Sequence, residues 1–233
     1  MRKVILIMVL ISACLLAVAQ PDRNEYDTEI TWGLNKNTRG GLIGGVVFKL
    51  AKQKKEDLFA VYGIEIMNVK HRQEQRYLSP TSGTSFVWGK QNFLYSIRGL
   101  YGREALLFKK APQQGVQISG IVAGGPTIGV IAPYYILYNG NYVPFDSDVH
   151  RNFNSIQGSG KLFQGLGESE LTFGLNAKAG LSFEFGAFKN NVAGVEMGVT
   201  MEAFPKEIIL IPTQKNSAVF SALYFTMYWG TRR

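Results

Sequence analysis

Residues 171–204, LTFGLNAKAGLSFEFGAFKNNVAGVEMGVTMEAF, alternate between apolar and polar side chains almost without interruption. Leu171, Phe173, Leu175, Ala177, Ala179, Leu181 and Phe183 share one parity; Thr172, Asn176, Lys178, Ser182 and Glu184 share the other. After GAFKNN the pattern resumes, with Val195, Met197, Val199 and Met201 opposite Gly194, Glu196, Gly198, Thr200 and Glu202. Successive side chains of a strand point to opposite faces, so this pattern predicts two long strands with one oily and one charged side. The fold turns on which side faces out.

The same period recurs along the chain. Eight segments read as strands, at roughly 27–35, 41–51, 57–70, 88–102, 114–131, 169–185, 191–204 and 217–230, each closed by residues rich in Gly, Asn, Lys or Pro. KQKKED and GAFKNN make short connections, while HRQEQRYLSPTSGTS and the nearly forty residues from Ala132 make long ones. Such alternation, with both termini at one end, is expected of an all-β, eight-stranded antiparallel up-and-down barrel. REALLFKKAPQQ is long for a turn and reads as partly strand. One segment competes: VQISGIVAGGPTIGVIAPYYILY, residues 116–138, carries no charge and could form an apolar membrane helix. Gly124, Gly125, Pro126 and Pro133, with many Val and Ile, favour strand instead.

Periodicity alone is compatible with a soluble barrel that is oily inside or a transmembrane barrel that is oily outside. The strands are longer than the five or six residues usual in soluble sheets. Gly33, Gly63, Gly174, Gly180, Gly194 and Gly198 fall on the polar face, as a narrow lumen requires, and Trp88, Tyr101, Tyr228 and Trp229 sit where interface girdles are expected. A transmembrane β-barrel is therefore expected, closed because unpaired backbone groups are costly in lipid. Glu29, Lys49, Glu65, Arg98, Lys178, Glu184, Glu196 and Glu202 would then form a charge network in the lumen. The expectation is a structural plug, with a gated ion or proton path as the alternative.

At the N-terminus, Arg2 and Lys3 precede an apolar run ending Ala17-Val18-Ala19, which reads as a signal peptide over 1–19 and a barrel domain over 20–233. A single membrane anchor, or lipidation at Cys14, are the alternatives; cleavage after Ala19 would remove the one Cys. Without Arg2 and Lys3, 23 basic residues stand against 17 acidic, a formal +6, yet Lys/Arg runs never exceed two and an exported chain argues against nucleic acid. The expected inner turns and tail hold nine basic residues (Lys52, Lys54, Lys55, Arg103, Lys109, Lys110, Lys189, Arg232, Arg233) against Glu56, Asp57 and Glu104, predicting a basic rim.

The alternating strands, the short turns against long loops and the last strand AVFSALYFTMYW before GTRR resemble the small eight-stranded outer-membrane barrels of Gram-negative bacteria, and in style those of the Bacteroidota. The chain departs from the commonest ending, a terminal Phe, since Trp229 lies four residues from the end. The resemblance implies a bacterial outer-membrane location and a range of roles: adhesion, envelope integrity, lipid modification, or accessory service to secretion and barrel-assembly machines. The expected role is a non-enzymatic structural or accessory subunit of a larger envelope complex. A lipid-modifying enzyme and a soluble exported ligand-binding barrel are the alternatives.

Chemistry in the loops is sparse. His71 with Ser79 and Ser82, or His150 within DSDVH, could in principle assemble a nucleophile and base, and DSDVH offers two carboxylates and an imidazole to a cation. Neither set is complete by itself, so no catalytic, metal or cofactor site is expected and no small-molecule substrate is identified. The expected partners are outer-membrane lipid and other envelope proteins, the latter met through loop aromatics Tyr134, Tyr135, Tyr138, Tyr142 and Phe145.

Overall fold

The computed structural model describes residues 27–41, 43–109, 115–161, 163–185 and 191–233. The expected signal peptide, Cys14 and most of the GAFKNN turn lie outside the described residues. In chain order the strands are β1 (Thr28–Asn37), β2 (Gly45–Lys55), β3 (Leu58–Val69), β4 (Arg76–Leu78), β5 (Ser85–Val87), β6 (Asn92–Phe108), β7 (Gln117–Pro133), β8 (Tyr135–Tyr138), β9 (Asn141–Pro144), β10 (Ile156–Ser159), β11 (Glu170–Phe185), β12 (Asn191–Ile208) and β13 (Ser217–Arg232). Eight of them close a barrel in the order β1-β13-β12-β11-β7-β6-β3-β2, every neighbour antiparallel. The seam pairs β1 with β13 from Glu29↔Arg232 to Asn37↔Tyr224 and is finished by Thr28 N–H donating to the Arg233 carbonyl at 2.9 Å.

The parity resolves the two faces without ambiguity. Each barrel strand exposes a large apolar side chain: Trp32, Phe48, Ile64, Ile97, Val122, Phe173, Val199 and Leu223 are between 39% and 67% exposed. Inward lie Glu65, Arg98, Lys178 and Glu202, all at most 5% exposed. A continuous oily girdle exceeds any patch that a monomeric protein shows to water, and charges would not be buried while Leu and Phe are left out unless the surrounding medium were lipid. The soluble reading, with the apolar face inside, is thus inverted by the structure. Residues 117–133 are strand β7, and no helix among the described residues is long and apolar enough to cross a membrane, which by itself says nothing about a barrel.

Strand boundaries shift where turn chemistry intervenes. The fourth expected strand begins at Asn92, not 88, because Ser85–Val87 instead pairs with Arg76–Leu78 and Gly89 turns the chain at φ 75. It then runs through REALLF to Phe108. A 17-residue strand tilted by ~40° spans about 40 Å along the barrel axis, more than the hydrocarbon thickness, so the barrel wall continues beyond the bilayer.

Above the opposite end, where β6 begins at Asn92 and β7 ends at Pro133, sits a folded loop layer. β8 and β9 form a hairpin through Asn139-Gly140, both at positive φ (47 and 83), the geometry that matches strand twist in a two-residue turn. β10 adds to β8, and β4–β5 pack beside this sheet. Their shared core is Phe86, Val87, Tyr134, Ile136, Phe145 and Ile156, backed by Trp88 and Phe153.

Candidate functional site

The inward residues build the lumen in layers. Near the short-turn end Ala51, Phe59, Val61 and Ile121 form an apolar cluster. Near the loop end Val69, Leu94, Phe204, Ile208, Leu210 and Phe220 form a second. Between them runs an alternating chain of ions: Glu104–Lys49 at 2.9 Å, Lys49–Glu196 at 3.6 Å, Glu196–Lys178 at 2.7 Å, Lys178–Glu65 at 2.8 Å, Glu65–Arg98 at 3.4 Å and Arg98–Glu202 at 3.0 Å. Each cation bridges two carboxylates, which is how a buried ion keeps its desolvation offset. Arg98 on β6 reaches Glu202 on β12, and Lys178 on β11 reaches Glu65 on β3, so the chain crosses the lumen instead of following its wall. A separate triad at the seam joins Arg232 to Glu29 at 2.9 Å and to Glu184.

All eight residues expected in the lumen are therefore inside it and ion-paired. Glu104 and Arg232 belong there too, although the sequence reading assigned them to the inner rim. Glu104 shares the parity of Arg98, Leu100 and Gly102, and Arg232 that of Tyr224 and Thr226; extending the strands by a few residues would have found both. The expected rim loses Arg232 accordingly, and Arg103 lies on the outer wall with its guanidinium 5.5 Å from the Tyr101 ring.

Tyr228, expected in a girdle, is also inside, its hydroxyl 2.7 Å from Ser182 Oγ, and Tyr224 donates to Glu196 at 2.8 Å. Gly198 and Gly194 stand directly opposite these tyrosines on β12. A side chain at Gly194 would meet the Tyr228 ring. Trp88 is packed in the loop core, so the outer aromatics are instead Trp229 against Trp32 and Tyr101 against Tyr62, each pair 5.3 Å apart.

Among the described residues the lumen holds six carboxylates against four cations. Buried Glu202 Oε1 and Asn176 Oδ1, on directly opposed residues of β12 and β11, have no hydrogen-bond partner in the protein.

The loop aromatics separate. Tyr134 and Phe145, expected to meet a partner, are each 3% exposed and form the core of the loop layer, because their rings bury more area against Phe86 and Ile156 than a loop surface could leave unpacked. The Tyr134 hydroxyl accepts the Val87 N–H at 3.0 Å; burial pushes its phenol up to about 12, against that hydrogen bond, which favours the phenolate. The Tyr138 and His150 rings meet edge to face with centroids 4.7 Å apart and Tyr135 donates to Glu168 at 2.7 Å, leaving Tyr142 as the exposed member.

The histidines sit in local structure. His71 accepts the Gln73 N–H on Nδ1 and faces the Lys215 carbonyl with Nε2 at 3.1 Å, while Ser79 Oγ donates to the Ile156 carbonyl at 2.7 Å. His150, the last residue of DSDVH, is buried and accepts the Asp146 backbone N–H on Nδ1 at 3.0 Å. No group of three or more His, Cys, Asp or Glu that could hold a metal ion occurs among the described residues.

No family model and no curated protein matches the chain. Among solved structures it is similar to Ail, the attachment invasion locus protein of Yersinia pestis, at 12% identity and a TM-score of 0.40, over 90% of this chain and 99% of that one. It is similar also to Neisserial surface protein A, at 9% identity and a TM-score of 0.38, over 89% and 97%. Scores this low bear on neither activity nor partners, and the barrel rests on its own strand pairing.

Proposed function

We propose that this chain is a bacterial outer-membrane β-barrel that acts without catalysis, as a structural or accessory subunit of a larger envelope complex, with its loop layer as the working surface. One observation carries this reading: a loop layer with its own hydrophobic core stands over a lumen crossed by ion pairs, and it exposes Leu78 (69%) and Val149 (66%) beyond the lipid-facing wall. Ordering such a layer is entropically costly, and large apolar side chains held out on it fit a protein partner better than solvent. Tyr77 and Tyr142 on the same layer add amphipathic contact area. A Bacteroidota source is supported by the pattern of the last strand alone.

Photo-crosslinking residues placed at 78 and 149 in cells test this. Both positions are expected to capture one and the same envelope protein, while position 173 on the lipid-facing wall does not. Recovery of the chain only as a free monomer, with no adduct at either site, would overturn the reading.

A further inference from the structure

Outside the barrel, where the upper ends of β3 and β6 meet the loop layer, lies a cavity of about 290 Å³ that neither the lumen nor the partner surface uses. Its barrel side is formed by Asn68 of β3 and by Phe93 and Tyr95 of β6, which have the lipid-facing parity; directly below on the same strands, Ile66 and Ile97 are exposed on the oily wall. The cavity therefore sits where hydrocarbon gives way to headgroups. Its rim is cationic: Lys70, Arg76, Lys90 and Lys161 line it against a single carboxylate, Glu74.

Lys90 is 2% exposed, bonded to Glu74 at 2.8 Å and held 4.1 Å from the Phe93 ring centroid, so its charge is fixed in place toward the cavity. Burial lowers its pKa, Glu74 opposes that, and Lys70 and Arg76 add to the lowering, so a further anion would be welcome there.

Three excess cations and an apolar wall beneath are complementary to phosphate and acyl chain in that order. We propose that this cavity binds the phosphorylated headgroup of an outer-leaflet lipid, with Arg76 and Lys161 closing on the phosphate and the acyl chains lying over Ile66 and Ile97. Arg76 can offer a fork of donors to phosphate oxygens, and such charge-assisted bonds are the strong ones. The proposal rests on the membrane placement argued above.

The full chain, reconstituted in phosphatidylcholine nanodiscs, would be titrated with a bis-phosphorylated glucosamine-disaccharide lipid, with its phosphate-free analogue and with inorganic phosphate, and read by native mass spectrometry. The phosphorylated lipid is expected to bind at least tenfold more tightly than the phosphate-free one. Arg76→Gln with Lys161→Gln, both exposed, should remove that tenfold preference while heat-modifiable migration stays unchanged. Equal binding of the two lipids, an unaffected double variant, or inorganic phosphate binding as tightly as the lipid would each overturn the proposal. A chain that fails to insert into the nanodisc at all would instead overturn the membrane reading, a separate result seen before any titration.

Discussion

At Arg98 one guanidinium serves Glu65 and Glu202 in a site that is 4% exposed. Replacing it by Met leaves a buried carboxylate without that cation, and breaking a buried pair from one side costs about 3–5 kcal/mol. Urea unfolding of Arg98→Met in lipid vesicles, followed by tryptophan fluorescence, should show a loss of that order. Adding Glu202→Gln should restore part of it by removing the stranded charge. A loss below about 1 kcal/mol would mean that the lumen is hydrated enough to screen its ions. Parity alone placed Glu65, Arg98 and Lys178 inside. Their pairing was not legible, since Lys178 and Glu65 are 113 residues apart and meet across the lumen, where strand period says nothing about opposite walls.

Among the elements, the loop layer departs furthest from what the sequence pattern predicts. Nearly forty residues read as one connection contain β8, β9 and β10, and the clearest local sign of them was Asn139-Gly140 between YILY and NYVP. Tyr134 and Phe145 read as surface anchors, as loop aromatics usually are. Here their burial depends on Phe86 and Val87, which arrive from a different loop some fifty residues earlier in the chain. If the layer has its own core, it should loosen by itself. Phe86→Ala, which vacates a site 1% exposed, is expected to cost about 3–5 kcal/mol locally. Hydrogen exchange should then rise across residues 76–87 and 134–159 while the barrel strands keep their protection. Simultaneous loss of protection in the barrel would show that layer and barrel are one cooperative unit.

For the whole molecule the decisive property is closure. Apolar clusters at both ends bracket a lumen crossed by salt bridges, and an eight-stranded barrel has no more room than its side chains fill. Planar-bilayer recordings of the purified chain should accordingly resolve no stable unitary conductance. Discrete open-pore steps would mean that the ion chain moves aside and would restore the alternative of a gated path.

The number of barrel strands, their antiparallel order and the parity of every lumen charge were determined by the amino-acid sequence itself, because a strand's two-residue period is local and each residue carries its own face. Glu104, Arg232 and Tyr228 obeyed that parity even where rim and girdle arguments pointed elsewhere. Which ions meet, which aromatics are core and where a cationic cavity opens above the oily wall were decided only by the tertiary structure. Those contacts depend on the stagger and circumference of the closed ring, and on loops folding against each other, which no local pattern records.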